Sequence, residues 1–360
     1  MDALILSPNE NSPTVAGVTV LDRLVVALHR GGCSRIMLCC GRWRPKLHRS
    51  DALGIVVEHA TSVPCVDEPT LVVQSDVLLT AADVRRLREE GGRLRGSSGE
   101  LLDAAVLGAG DVTSAKVNFD RSPQIPVDGV ARCVRNAAEA RDAAAELWAS
   151  LRSNCDGAVD RWFNRPAGRP LSKLLAYTPV TPNQVSIAAT LVGLMAATGF
   201  ALGGYWPVLL GAVVFQLSAI IDCIDGDLAR IAFKESALGK WLDLIGDNVV
   251  HVAVFLGLGV GLWKTGVDGP VVGLTISAVV GVIISLLVII RASRLPDSAA
   301  RSRLQALIDR MTNRDFSVLL LALAVVDRVG WFLWMLGIGV HCFWVLALGL
   351  QFSGRKDAAK

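Results

Sequence analysis

Residues Asp222–Asp247 read DCIDGDLARIAFKESALGKWLDLIGD. They stand between two apolar runs, VLLGAVVFQLSAII (Val208–Ile221) and VVHVAVFLGLGVGLW (Val249–Trp263). Five aspartates are set into segments whose flanks are greasy enough for a bilayer. A membrane-embedded Asp costs about 2.5–3.5 kcal/mol even on the lenient insertion scale, and clustered like charges add repulsion. Something must make these carboxylates tolerable.

At about 100° per residue, Asp222, Asp225, Gly226 and Ala229 fall on one side of the first helix. Gly239, Asp243, Gly246 and Asp247 fall on one side of the second. With the turn centred near Glu235, Asp222, Asp225, Asp243 and Asp247 lie at similar depth, roughly 12–20 Å from it. Four carboxylates therefore converge between two antiparallel helices, while Asp227 points away. Arg230 is one charge against four. Divalent cations are the natural counter-charge, and an all-carboxylate oxygen set suits Mg²⁺ or Mn²⁺. The glycines and alanine leave space on the same face. A structural ion pair or a transporter's proton relay is the bland alternative, but neither calls for so many small residues around the acids.

Working outward, the 360 residues are 52% hydrophobic and 19% charged, with a mean hydropathy of +0.46. That mean covers two unlike halves. Residues 1 to about 154 are mixed in character, whereas Gln184 to Phe352 is dominated by apolar runs near the ~20 residues that cross a bilayer. The pattern predicts a soluble α/β domain followed by six transmembrane helices at 184–203, 206–231, 237–263, 269–291, 315–329 and 331–352, with a tight turn at Asp327 and Arg328. Basic residues precede the first span, recur between spans two and three (Arg230, Lys234, Lys240) and four and five (Arg291 to Arg314), and close the tail (Arg355, Lys356, Lys360). The positive-inside rule then places both termini and the N-terminal domain in the cytoplasm, on the cell's inner membrane. MDALILSPNENSP has no basic n-region and no long h-region, so no signal peptide is expected. The eight cysteines lack CxxC spacing and read as reduced thiols. A net charge of +3 makes no case for nucleic acid.

In the first ~125 residues, ALILS (Ala3–Ser7), RIMLCC (Arg35–Cys40) and TLVVQSDVLL (Thr70–Leu79) read as strands, with helices over Leu21–Gly32 and Ala81–Gly92. This βαβ rhythm predicts a doubly wound parallel sheet. A helix over Asn136–Arg152 leads to Asp156–Tyr177, where Arg161, Arg165, Arg169 and Lys173 mix with Trp162, Phe163, Leu171, Leu174 and Leu175. That mixture suits an amphipathic helix at the membrane surface. The expected organisation is residues 1–135 as the α/β domain, 136–180 as linker and juxtamembrane helix, and 181–353 as the membrane domain.

D-x2-D-G-x2-A-R-x8-G-x3-D-x3-D resembles the signature of the CDP-alcohol phosphotransferase family. Asp222, Asp225, Gly226, Ala229, Arg230, Gly239, Asp243 and Asp247 match every specified position. TPNQVS (Thr181–Ser186) resembles the family's entry to its first span, and the similarity covers about residues 156–352. The resemblance implies two metal ions held by Asp222, Asp225 and Asp243 with Asp247 in reach, and Asp247 as general base toward an acceptor hydroxyl. It implies CDP contacts at Gly226, Ala229, Arg230, Ser236 and Gly239, and at Asn183 and Ser186. CMP would leave as a phosphodiester forms. It also implies a homodimer among membrane lipids. Arg291, Asn313 and Arg314 are the candidates for the acceptor.

The layout, and DGAVDRWFNRPAGRPLSKLLAYTPVTPNQVS above all, resembles the fused inositol-phosphate cytidylyltransferase/di-myo-inositol-phosphate-phosphate synthase branch. GVTVLDRLVVALHRGGCSRIMLCCG is similar to the early part of a nucleotidyltransferase fold. The loop SPNENSPTVAG (Ser7–Gly17), however, has no basic residue and no glycine before its end. Such loops cradle a triphosphate, so the domain is expected to be degenerate, with Asp76 isolated where a metal-binding aspartate would stand. The resemblance implies CDP-diacylglycerol or CDP-inositol as donor and an acceptor alcohol such as an inositol phosphate. Alternatives are phospholipid synthesis from CDP-diacylglycerol with another acceptor, a cation transporter, and an inactive membrane anchor.

Overall fold

The computed structural model describes the whole chain except residues 9–10, 109–110, 113–116, 121, 128, 152–156, 294–315 and 358–360. The chain forms two compact units: Met1–Leu151 with Ile231–Phe233, and Arg152–Arg230 with Lys234–Lys360.

The first unit is built on a seven-stranded sheet. Its strands are β1 (Ala3–Leu6), β4 (Ile36–Cys39), β5 (Glu58–Ala60), β6 (Thr70–Gln74), β8 (Arg93–Arg95), β9 (Leu101–Leu107) and β10 (Gln124–Pro126). Small ribbons comprise β2 (Thr14–Val15) with β3 (Val18–Thr19), and β7 (Val77–Leu78) with β11 (Arg132–Cys133). The sheet order is β10-β8-β9-β6-β1-β4-β5. Strand β1 is buried along its whole length, with Ala3 and Ile5 in one core and Leu4 and Leu6 in another. That two-faced burial is why ALIL shows no polar alternation.

The expected parallel sheet is only partly present. Strands β5, β4, β1 and β6 pair in parallel, but β9 runs antiparallel to both β6 and β8. The cause is local. Arg95 and Leu101 are joined by a short turn in which Gly99 takes φ 88°, and so short a link can only form a hairpin. The predicted helices are present as α1 (Val20–Arg30), α3 (Ala81–Glu90) and α4 (Ala137–Ser150), with a short α2 (His48–Ala52). Thr80 and Asp83 form a reciprocal capping box that starts α3.

The second unit is helical. A π-helical turn at Asp160–Asn164 leads into α5 (Arg165–Leu175). There follow α6 (Pro182–Leu202), α7 (Tyr205–Ile231), α8 (Ala237–Lys264) and α9 (Val271–Ser293), then the short helix Phe316–Val325 and the last helix Val329–Asp357. Five of these are long and apolar enough to cross a membrane. Of the expected fifth crossing, 315–329, the described residues form the helix Phe316–Val325. It ends because Asp327 sits at φ 56°, in the left-handed region, and turns the chain. Helices α6 and α8 lie in near backbone contact, since a Cβ at Gly261 would come 2.0 Å from the Phe200 carbonyl oxygen.

The juxtamembrane helix is amphipathic in the reverse sense to a soluble one. Trp162, Phe163, Leu171 and Leu174 are exposed, while Asp160, Asn164, Arg165 and Ser172 are buried. Asn164 donates to Asp160 (2.7 Å) and accepts from Gln216 of α7 (2.5 Å). A Cβ at Gly168 would touch Ile224 and the Ile220 carbonyl of α7. The outward apolar face suits lipid, and the inward polar face grips a membrane helix.

Candidate metal centre and its cavity

Helix α7 ends beside the site and α8 begins there. Phe233, at φ 54°, turns the chain, and Ser236 caps α8 by accepting from the Gly239 amide (2.9 Å). The turn thereby brings the C-terminal half of α7 against the first turns of α8. Asp222, Asp225 and Asp243 each bring a carboxylate oxygen within 4.8 Å of the others. Asp225 is buried, Asp222 half-buried and Asp243 exposed. Asp247 does not share that group. It lies one turn further along α8, about 6 Å in axial rise from Asp243.

A third helix supports the cluster. The TPNQVS segment starts α6 with a capping box, in which the Thr181 amide donates to Gln184 (2.9 Å) and the Gln184 amide to Thr181 (3.4 Å). That start positions Ser186, whose hydroxyl donates to the Asp225 carboxylate. It also sets Asn183 against α8, where a Cβ at Gly239 would lie 2.9 Å from the Asn183 amide oxygen. A Cβ at Gly226 would lie 3.0 Å from the Arg230 guanidinium. The two motif glycines therefore admit polar side chains of the protein itself.

These groups border a cavity of about 190 Å³. Asn183, Ser186, Gly226, Ala229, Arg230, Ser236 and Gly239 all line it, together with Asp225 and Asp243. The structure thus gathers every residue expected to contact CDP around one opening. Lys234 and Lys240 line it too. Sequence reasoning credited them only to the topology bias of the loop; their spacing about Ser236 was the unused signal.

Asp227, expected to point away, is outside the cluster and fully buried. It accepts from Arg165 of α5 and from Arg230 (3.2 Å). Arg230, expected to face CDP, thus has a protein anchor as well as a place on the cavity. Of the acceptor candidates, Arg291 is exposed near the end of α9; Asn313 and Arg314 lie outside the described residues.

Three carboxylates within 4.8 Å of one another repel by at least about 3 kcal/mol per pair at an effective dielectric constant near 20. An all-oxygen donor set of this kind fits a hard divalent cation. The fold and site together define a helical unit with five helices long and apolar enough to cross a membrane, and a carboxylate cluster suited to a metal beside a cavity lined by both basic and acidic side chains. More particularly, residues 179–345, just under half of the chain, match the CDP-alcohol phosphatidyltransferase family.

The Bifunctional IPC transferase and DIPP synthase of Thermococcus kodakarensis is 37% identical over 101 residues, 28% of this chain and 22% of that protein. Its counterpart in Rubrobacter xylanophilus is 29% identical over 208 residues, 58% of this chain and 44% of that protein. The apo crystal structure of Mycobacterium tuberculosis phosphatidylinositol phosphate synthase is 23% identical, covering 52% of this chain and 96% of that one, with a TM-score of 0.40. The chain spans less than half the length of the curated relatives it matches.

Proposed function

We propose that this protein is a membrane phosphotransferase that uses two divalent ions, Mg²⁺ or Mn²⁺, to transfer a phosphoalcohol group from a CDP-alcohol to an acceptor alcohol, releasing CMP. The observation that carries this reading is the cluster of three aspartates, two of which, Asp225 and Asp243, line a cavity together with all seven expected CDP contacts. Bound divalent cations would hold the donor's diphosphate and offset its charge. Asp222, Asp225 and Asp243 would hold those ions, with the Ser186 hydroxyl fixing the orientation of Asp225. Arg230, Lys234 and Lys240 offer donors to phosphate oxygens from the cavity wall. Asp247, outside the metal-holding group, is the general base. It takes the proton of the acceptor hydroxyl as that oxygen attacks the β-phosphorus. The bond from the β-phosphorus to the oxygen bridging toward CMP breaks, and CMP leaves with the electron pair.

The matched relatives favour CDP-diacylglycerol or CDP-inositol as donor and an inositol phosphate as acceptor, with Arg291 and the segment holding Asn313 and Arg314 contributing donors. Residues 181–353 form the membrane domain, with the helix Phe316–Val325 completing a sixth crossing, both termini cytoplasmic and two copies forming a homodimer. Residues 1–135 are a degenerate nucleotidyltransferase-like domain. Its Asp76 carboxylate is engaged by Arg135 at 2.7 Å, where a catalytic metal would need it.

The test is CMP release by the purified full chain with Mg²⁺, offered CDP-diacylglycerol or CDP-inositol with a panel of alcohols, beside Asp247→Asn. CMP formed with one donor–acceptor pair and lost in the variant is expected. Folded, metal-binding protein that releases no CMP with any pair would refute the reading.

A further inference from the structure

A second and larger cavity, about 740 Å³, lies at the other end of the helical unit. Three chain reversals enclose it: Gly203–Gly204 before α7, Thr265–Pro270 between α8 and α9, and Asp327–Arg328 before the last helix. Its floor is apolar, with Phe200, Leu258, Leu262 and Leu333 almost wholly buried. Its rim carries Asp268, Asp327 and Arg328, all exposed. Tyr205 and Asp222 stand 17 residues apart on α7, about 26 Å in rise. In a bilayer core of ~30 Å this cavity therefore opens to the leaflet opposite the aspartates. It is separate from the site that would hold a CDP-alcohol.

Depth and chemistry indicate the occupant. Trp206, Trp263 and Trp331 are exposed at this same end, where aromatic residues mark the water–lipid interface. The rim is then at headgroup level and the floor at acyl level. A volume of this size is in the ~300–1,000 Å³ range of small-molecule sites, and its apolar floor offers water few partners. The rim presents both signs of charge, one guanidinium and two carboxylates.

We propose that this cavity binds one zwitterionic phospholipid of the opposite leaflet, with an acyl chain on the apolar floor, its phosphate against Arg328 and its ammonium group against Asp268 and Asp327. An anionic lipid would leave the two carboxylates facing like charge, so the rim selects by headgroup.

The structure supplies a clean test. Gly330 lines the cavity, and a Cβ there would meet only Val267, at 4.0 Å. Gly330→Phe therefore adds bulk at the cavity wall from a position where the new Cβ meets no backbone. Full-length protein in mild detergent is loaded with phosphatidylethanolamine or phosphatidylglycerol and read by native mass spectrometry, with melting temperature as the folding control. Wild type should retain one phosphatidylethanolamine and little phosphatidylglycerol. Gly330→Phe should lose it at unchanged melting temperature, and Arg328→Gln should weaken it at least about tenfold, as one charge-assisted hydrogen bond predicts. Equal retention of both lipids, no retained lipid, or retention indifferent to both substitutions overturns the proposal. Because binding is read directly, the outcome is independent of whether CMP is released at the aspartate site.

Discussion

Asp227→Leu removes the carboxylate that joins α5 to α7. Asp227 is 1% exposed and accepts from Arg165, itself 9% exposed, and from Arg230, 28% exposed. Breaking a buried pair from one side leaves a charge without compensation and typically costs about 3–5 kcal/mol. The share from Arg230 is smaller, because that pair is partly solvated and spaced i,i+3. At about 2–4 °C per kcal/mol for a domain of 150–250 residues, the melting temperature should fall by roughly 6–20 °C. The double variant Asp227→Leu/Arg165→Met replaces both partners with apolar groups of similar length and should recover most of that loss, since such replacements are often neutral. Donor affinity should not recover with it, because Arg230 still lacks its anchor beside Gly226. Thermal unfolding of the four proteins in detergent gives the coupling energy from a double-mutant cycle. A single variant losing less than about 1 kcal/mol, or a double variant no more stable than Asp227→Leu, would refute this account of the pair.

Further outcomes follow from other contacts. Asp225→Asn should reduce divalent-ion affinity by at least tenfold in calorimetry while Asp227→Asn leaves it within a few-fold, because only Asp225 belongs to the three-carboxylate group; equal losses would undo the assignment. Gly261→Ala must push α6 off α8, since the new Cβ would lie 2.0 Å from a backbone oxygen, and should destabilise by about 1–3 kcal/mol; an unchanged melting temperature would contradict that packing. Burial pushes the thiols of Cys39 and Cys133 up to about 11. In variants retaining only one of them, iodoacetamide labelling should rise about tenfold per pH unit from 7 to 10, because burial disfavours the reactive thiolate. A plateau by pH 9 would refute it.

Much of this protein was legible in one dimension because the relevant signals are local. The Thr181–Gln184 cap, the turn at Ser236 and the Asp222/Asp225 and Asp243/Asp247 spacings are matters of helical period within a few residues. They placed the aspartates on facing helices, and the structure brings three of them together. The strands ALIL and TLVVQ were visible for the same reason. The difference arose where strand pairing decided the outcome. The direction of β9 depends on a short turn that no hydrophobic pattern encodes.

The sequence alone determined the two-part organisation, the long apolar helices and the acidic signature, because hydropathy and periodicity act along the chain. Only the tertiary structure decided which polar groups meet. Arg165 and Asp227 are 62 positions apart, and nothing in either segment names the other. The pairing arises because Gly168 lets α5 lie on α7, so that the cheapest state for each buried charge is the neighbour's opposite charge. The cavity between three chain reversals at the far end has the same origin: its walls come from segments that only packing makes adjacent.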